Sequence, residues 1–179
     1  MRYLAFILTA FSLLLLLVSA AGAAKNKNEV QFVTMRNAMG KSIGSITVKD
    51  EGPGVVLELH LHDLTPGEHA VHFHETPNCE GSEFKAAGGH FNPDGKKHGF
   101  DNPEGHHAGD MMNFTVGANG KAKARVEDPD VTLKDGPRTL LSSGGVAIII
   151  HAKADDYKTD PSGNSGDRVA CGVIDARSH

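Results

Sequence analysis

Beyond residue 28, apolar and polar side chains alternate in short runs, the two-residue period of strands that turn one face to a core. That period predicts strands at Glu29 to Arg36, Ser42 to Lys49, Val55 to Leu64, His69 to Glu75, Met111 to Val116, Ala122 to Glu127, Ala147 to His151 and Val169 to Ile174. Turn chemistry separates them at Asn37-Ala38-Met39-Gly40, Glu51-Gly52-Pro53-Gly54, Thr65-Pro66-Gly67 and Asn119-Gly120, the last a tight-hairpin signal. Short strands broken by Gly and Pro predict an all-β fold, a Greek-key antiparallel β-barrel or immunoglobulin-like sandwich. Two stretches break the rhythm, Thr76 to His106 and Asp155 to Asp167. Long irregular segments in a compact domain are functional or disordered, and the density of ligand-type residues in these two favours function.

Before the strands, Arg2 precedes an apolar run from Leu4 to Val18 and the small residues Ser19 to Ala24. This reads as a secretory signal peptide over residues 1–23 with an Ala21-Gly22-Ala23 cleavage site, leaving residues 24–179 as one domain. An uncleaved anchor is the alternative, although the run is shorter than the roughly 20 residues of a spanning helix. The expected product is exported (periplasmic, cell-envelope-associated or secreted) and has no stable membrane span after cleavage. Cys79 and Cys171 are the only cysteines of the 179 residues, so in an oxidising compartment their pairing is forced. Two free buried thiols are the alternative. The formal net charge is −4, and no basic cluster is dense enough to predict nucleic-acid binding. An anionic substrate would need a local positive patch, for which Lys85, Lys96, Lys97, Lys153, Lys158 and Arg168 stand near the two long segments.

The candidate chemistry lies in histidines. His72 and His74 share one face of a strand, while Val71 and Phe73 share the other with His69, which reads as structural and bonded to backbone. His60 and His62 form a second H-x-H pair, on the wet face of a strand whose apolar face is Val55, Leu57, Leu59 and Leu61. That pair reads as solvated surface. His90, His98, His107 and Asp110 recur at intervals long enough to curl around one ion, and three His with one Asp make a closed tetrahedral set of the structural zinc type. His72, His74 and His151 then remain for a second metal, with copper suited to imidazole ligands and an open approach. His106 is adjacent to His107, but the H-x-G-D spacing selects His107 and leaves His106 exposed.

Taken together, these blocks resemble the copper/zinc superoxide dismutases, especially their exported bacterial branch. The similar text is Gly67-Glu68-His69-Ala70-Val71-His72-Phe73-His74-Glu75, Gly88-Gly89-His90-Phe91-Asn92-Pro93, Lys97-His98-Gly99, His107-Ala108-Gly109-Asp110, His151-Ala152-Lys153-Ala154-Asp155-Asp156, and the run from Gly163 to Ile174. The blocks stand in family order across nearly the whole predicted domain. The resemblance implies copper held by His72, His74, His90 and His151, and zinc held by His90, His98, His107 and Asp110, with His90 bridging the two. It further implies that Asp155 accepts hydrogen bonds from the outer nitrogens of His72 and His98, that Cys79 and Cys171 form the intrachain disulfide, and that Arg168 docks the superoxide anion. Dismutation of superoxide to oxygen and hydrogen peroxide follows as the expected activity, with His90 and Arg168 as catalytic groups. A non-enzymatic copper/zinc buffering protein of the same fold is the rival. The Cys79 to His90 segment is longer than in typical eukaryotic members and the loop after His151 shorter. Both departures resemble the bacterial branch, so the eukaryotic interface is no guide here and the oligomeric state stays open, a homodimer among the options.

Overall fold

A computed structural model describes residues 30–176. The signal-peptide expectation falls on residues 1–23 and lies outside them. Nine strands form the described chain: β1 (Val30–Asn37), β2 (Ser42–Glu51), β3 (Gly54–Leu61), β4 (Gly67–His69), β5 (Val71–His74), β6 (Phe114–Val116), β7 (Ala122–Asp128), β8 (Gly145–His151) and β9 (Arg168–Asp175). All pairings between strands are antiparallel, in a curled seven-stranded sheet of order β5-β8-β9-β1-β2-β3-β7 and a two-stranded sheet β4-β6. The last strand returns beside the first, which gives the Greek-key order. Among the described residues the only helices are two short 3₁₀ turns, Lys85–Ala87 and Ser142–Gly144.

The alternation predicted for β3 is present: Val55, Leu57, Leu59 and Leu61 are buried and His60 is exposed. These side chains meet Ile46 and Val48 of β2, Val33 and Met35 of β1, and Ile148 and Ile150 of β8 in one core. Each fully buried Leu or Ile contributes roughly 1.5–3 kcal/mol by leaving water. Strand β8 is buried at every position, and the second face has its own partners. Ala147 and Ile149 pack against Phe84, Ala87 and Cys171, so the segment before His90 roofs the sheet there. The Cys79–Cys171 disulfide ties that roof to β9 across a sequence separation of 92.

Two strands differ in kind from the sequence-based expectation, and a third, β3, stops at Leu61 rather than Leu64. The run His69 to Glu75 is split at Ala70, whose N–H donates to Lys153 O (2.9 Å) and whose carbonyl accepts from His151 N (3.0 Å). The chain thereby changes partner, since β4 pairs with β6 whereas β5 pairs with β8. Likewise Met111 to Asn113 is not strand, because Asn113 serves the loop after His151. Its Nδ2 donates to Asp155 O (3.0 Å), its Oδ1 accepts from Asp155 N (2.9 Å), and its own N–H donates to the Tyr157 hydroxyl (2.8 Å).

Candidate metal centre

Strand β5 lies at one end of the large sheet, paired with β8 on one side only. Its free edge is completed by pieces of the long loop. Phe91 N donates to Phe73 O (2.8 Å), Phe73 N to Gly109 O (3.0 Å) and Gly109 N to Phe91 O (2.9 Å). Isolated bridges His74 to His90 and His72 to Asp110 result, bringing loop residues level with the strand histidines. His151, at the end of β8, arrives from the other side.

Two sets of side chains gather here, each with donor atoms within 4.8 Å of one another: His72, His74, His90 and His151, and His90, His98, His107 and Asp110. All seven residues are buried, and His90 belongs to both sets. In the first set the inward atoms are His72 Nδ1 and the Nε2 atoms of His74, His90 and His151, which are buried without hydrogen-bond partners among the described residues. An orphaned buried acceptor costs roughly 1–3 kcal/mol, and four converging ones fit a cation that takes their lone pairs. The outward nitrogens are all engaged. His72 Nε2 bonds Asp155 Oδ2 (2.7 Å), His74 Nδ1 bonds Gly88 O (3.0 Å), His151 Nδ1 bonds Gly166 O (3.2 Å) and His90 Nδ1 bonds Asp110 Oδ1 (2.7 Å). Each ring is oriented from behind.

In the second set, three Nδ1 atoms converge on one carboxylate. His98 Nδ1 is 3.0 Å from Asp110 Oδ2, His107 Nδ1 is 3.2 Å from Asp110 Oδ1 and 3.3 Å from His90 Nδ1. The backbone N–H groups of Gly99 and His107 also donate to Asp110 Oδ2, at 3.0 Å each. Asp155 joins the sets, since its other oxygen meets His98 Nε2 at 3.0 Å. Gly163 closes over this junction: a Cβ there would lie 1.8 Å from Asp155 Oδ1 and 2.7 Å from His98 Nε2, so only glycine fits.

Electrostatics favour metal-ready protonation states in the first set. Burial, with neighbouring imidazoles, pulls His90 and His151 down to about 3, lowers His72, and holds His74 well below the usual imidazole range. Neutral rings keep the lone pairs that metals need. His98 behaves oppositely: burial opposes its charge, but the hydrogen bonds to Asp110 and Asp155 outweigh burial and push it up to about 9. Burial also works against the charge of Asp110 and Asp155, yet bonds from the surrounding imidazoles and backbone N–H groups hold both below the ordinary carboxylate range.

A cavity of about 430 Å³ opens on the first set, lined by His74, His90, His151 and Arg168 among others. The half-buried Arg168 donates from Nη1 to Phe84 O (2.8 Å) and from Nη2 to Gly88 O (2.7 Å). Among the described residues no carboxylate forms an ion pair with it. Of the lysines named from sequence, Lys85 is paired with Glu83 and Lys97 with Asp160, which reduces their contribution to a positive patch.

The remaining histidines stay outside both sets. His69 bonds the backbone carbonyls of His151 (2.6 Å) and Thr65 (2.8 Å), the structural role its strand position predicts. His60 is exposed, and His62 sits beside Asp63. His106 corrects the expectation of exposure: it is half-buried, bonded to Asp130 (2.9 Å) and packed on Phe100. Sequence reasoning missed Asn113, which bonds the Asp155 backbone, Gly163, which leaves room for the Asp155 and His98 side chains, and Glu75, which bonds Gly89 beside His90, because each contact joins segments that no local pattern relates.

Comparison with known proteins agrees with this geometry. The copper/zinc superoxide dismutase (SODC) family matches residues 42–174. A superoxide dismutase [Cu-Zn] of Aquifex aeolicus is 45% identical over 162 residues, covering 89% of this chain and 93% of the relative. That of Caulobacter vibrioides is 45% identical over 138 residues, 75% of this chain and 79% of the relative. The crystal structure of a superoxide dismutase-like protein from Bacillus subtilis superposes with a TM-score of 0.77 at 43% identity, covering 80% of this chain and 97% of that one. With the family matched over most of its length and such relatives covering most of both chains, this chain belongs to the copper/zinc superoxide dismutases.

Proposed function

We propose that this protein is a superoxide dismutase that holds copper with His72, His74, His90 and His151 and zinc with His90, His98, His107 and Asp110. The observation that carries this reading is the four buried, partnerless imidazole nitrogens that face one another beneath a cavity lined by Arg168. Copper bound there would supply the one-electron chemistry by which two superoxide anions and two protons become oxygen and hydrogen peroxide.

The residues supply the rest. His90 directs Nε2 to the copper set and Nδ1 to the zinc set, so a single ring serves both, and Nε2, with its free lone pair beside the substrate cavity, would be the atom that accepts a proton there. Arg168, with two N–H groups fixed on carbonyls and no paired carboxylate, retains positive charge and donors for a small anion. Asp155 keeps His72 and His98 in one orientation and so links the two ligand sets. Export through the N-terminal segment over residues 1–23 belongs to the same reading, supported by the sequence pattern there and by the disulfide, a bond of oxidising compartments.

A second reading, copper and zinc buffering without catalysis, draws on the 44% identity to the Bacillus subtilis relative named only as superoxide dismutase-like. Dismutation by the copper- and zinc-loaded protein separates the two. The dismutase reading predicts fast turnover, loss of more than a hundred-fold in His151→Ala, and roughly ten-fold slowing in Arg168→Ala, the size of a lost charge-assisted contact. Tight metal binding with no turnover above the copper-free protein supports buffering instead.

A further inference from the structure

We propose that Glu75 is a positioning residue for both His74 and Arg168, acting through the Gly88–Gly89 turn; the proposal rests on the roles given to those two residues above. One carbonyl, Gly88 O, accepts from His74 Nδ1 (3.0 Å) and from Arg168 Nη2 (2.7 Å). The ring that points Nε2 into the copper set and the guanidinium that meets the anion are therefore aimed by the same atom. Where that atom sits depends on Glu75. Glu75 N donates to Gly89 O (3.0 Å), and its carboxylate Oε1 accepts from Gly89 N (3.1 Å), a reciprocal clamp on the residue before His90.

The carboxylate also packs into the space that a side chain at position 88 would need. Gly88 has φ 76, a backbone state L-residues rarely adopt, and a Cβ there would lie 2.6 Å from Glu75 Oε1 and 2.8 Å from its Cγ. Glu75 lines the cavity beside His74, His90 and Arg168. An acidic group beside an anion's path opposes its approach, so its presence there calls for an offsetting role, and the clamp provides one.

The test uses copper- and zinc-loaded wild type, Glu75→Gln, Glu75→Ala and Gly88→Ala, read by the Cu(II) paramagnetic resonance spectrum, by titration with azide as a small anionic probe, and by thermal melting. Glu75→Ala is expected to weaken azide binding about five-fold, the loss of one orienting hydrogen bond, and to change the copper spectrum. Glu75→Gln, which keeps an acceptor oxygen, restores both, and Gly88→Ala reproduces the Glu75→Ala behaviour. The proposal is overturned if Glu75→Ala lowers only the melting temperature, or if Gln and Ala both tighten azide, which marks a pure charge effect. If Glu75→Ala does not fold, the same two readouts on Glu75→Gln and Gly88→Ala decide: wild-type behaviour in Gly88→Ala overturns it. Wild type without turnover but with these responses removes the dismutase reading and leaves Glu75's role standing.

Discussion

The chain carries the pattern His-x-His twice, and the two copies have opposite fates. His60, on β3, and His62, just beyond its end, flank Leu61 where the strand is paired along both edges, with β2 and β7; His60 is exposed and His62 partly so. On β5, His72 and His74 flank Phe73 on a strand with one ladder partner and one edge left to the loops. Those loops bring His90, His98, His107 and Asp110 over the histidine face and leave His72 and His74 fully buried. A metal set therefore comes from cover rather than from the pair itself. Imidazoles on a wet face keep their water, whereas buried nitrogens without a protein partner, unlike those of His69, need a cation to offset desolvation.

Substitutions sharpen this contrast, beginning with the largest effect. His72→Ala is expected to abolish tight copper binding, measured by competition with a chelator of known affinity, while His60→Ala leaves copper affinity unchanged; equal losses would erase the distinction between the pairs. Next, removing the disulfide with Cys79→Ser and Cys171→Ser should lower unfolding free energy by about 4–5 kcal/mol in the chain-entropy view, read from denaturant midpoints. The loss should also loosen the roof that holds Phe84 O and Gly88 O beneath Arg168. Asp155→Asn follows, with zinc affinity down 10- to 100-fold by cobalt or zinc competition, because only an ionised carboxylate accepts from both outer imidazoles. An unchanged affinity would mean that the two ligand sets hold their orientation without it.

The pH response is the most graded effect. His72, His74, His90 and His151 have folded-state values below the unfolded imidazole value, so on acidification through about 6.5 towards 3 the unfolded chain takes up protons that the folded one refuses. Stability of the metal-free protein should fall across that window. His98, raised to about 9, has the opposite sign: its contribution is full below about 6.5 and fades as pH rises through 9. Urea midpoints across pH 3 to 10 should show a shoulder on each side, and His98→Ala should remove the alkaline one.

Much of this was legible from residues alone, for identifiable reasons. The alternation in β3 is visible because each inward side chain meets the core of its own sheet. The run Val146 to Ile150 is apolar throughout because β8 is covered on both faces, the second by the segment that the disulfide anchors. The break at Ala70 was hidden, because Glu68 to Glu75 keeps its alternation while the backbone changes from one sheet to the other. His106 illustrates the same limit: its half-burial depends on Asp130, 24 residues away.

What the sequence by itself determined is the strand rhythm, the inventory of ligand-type side chains, the one available disulfide and, through block order, the family. Tertiary structure decided which nitrogen of each ring faces inward, and by what register His90 reaches both sets and Asp155 reaches His72 from 83 residues away. It also decided that Glu75 stands against the Gly88–Gly89 turn and Gly163 against Asp155 and His98. The division is physical: periodicity records whether a side chain faces water or core, a local property, whereas a coordination geometry arises from register between distant segments and from the backbone carbonyls that aim each ring.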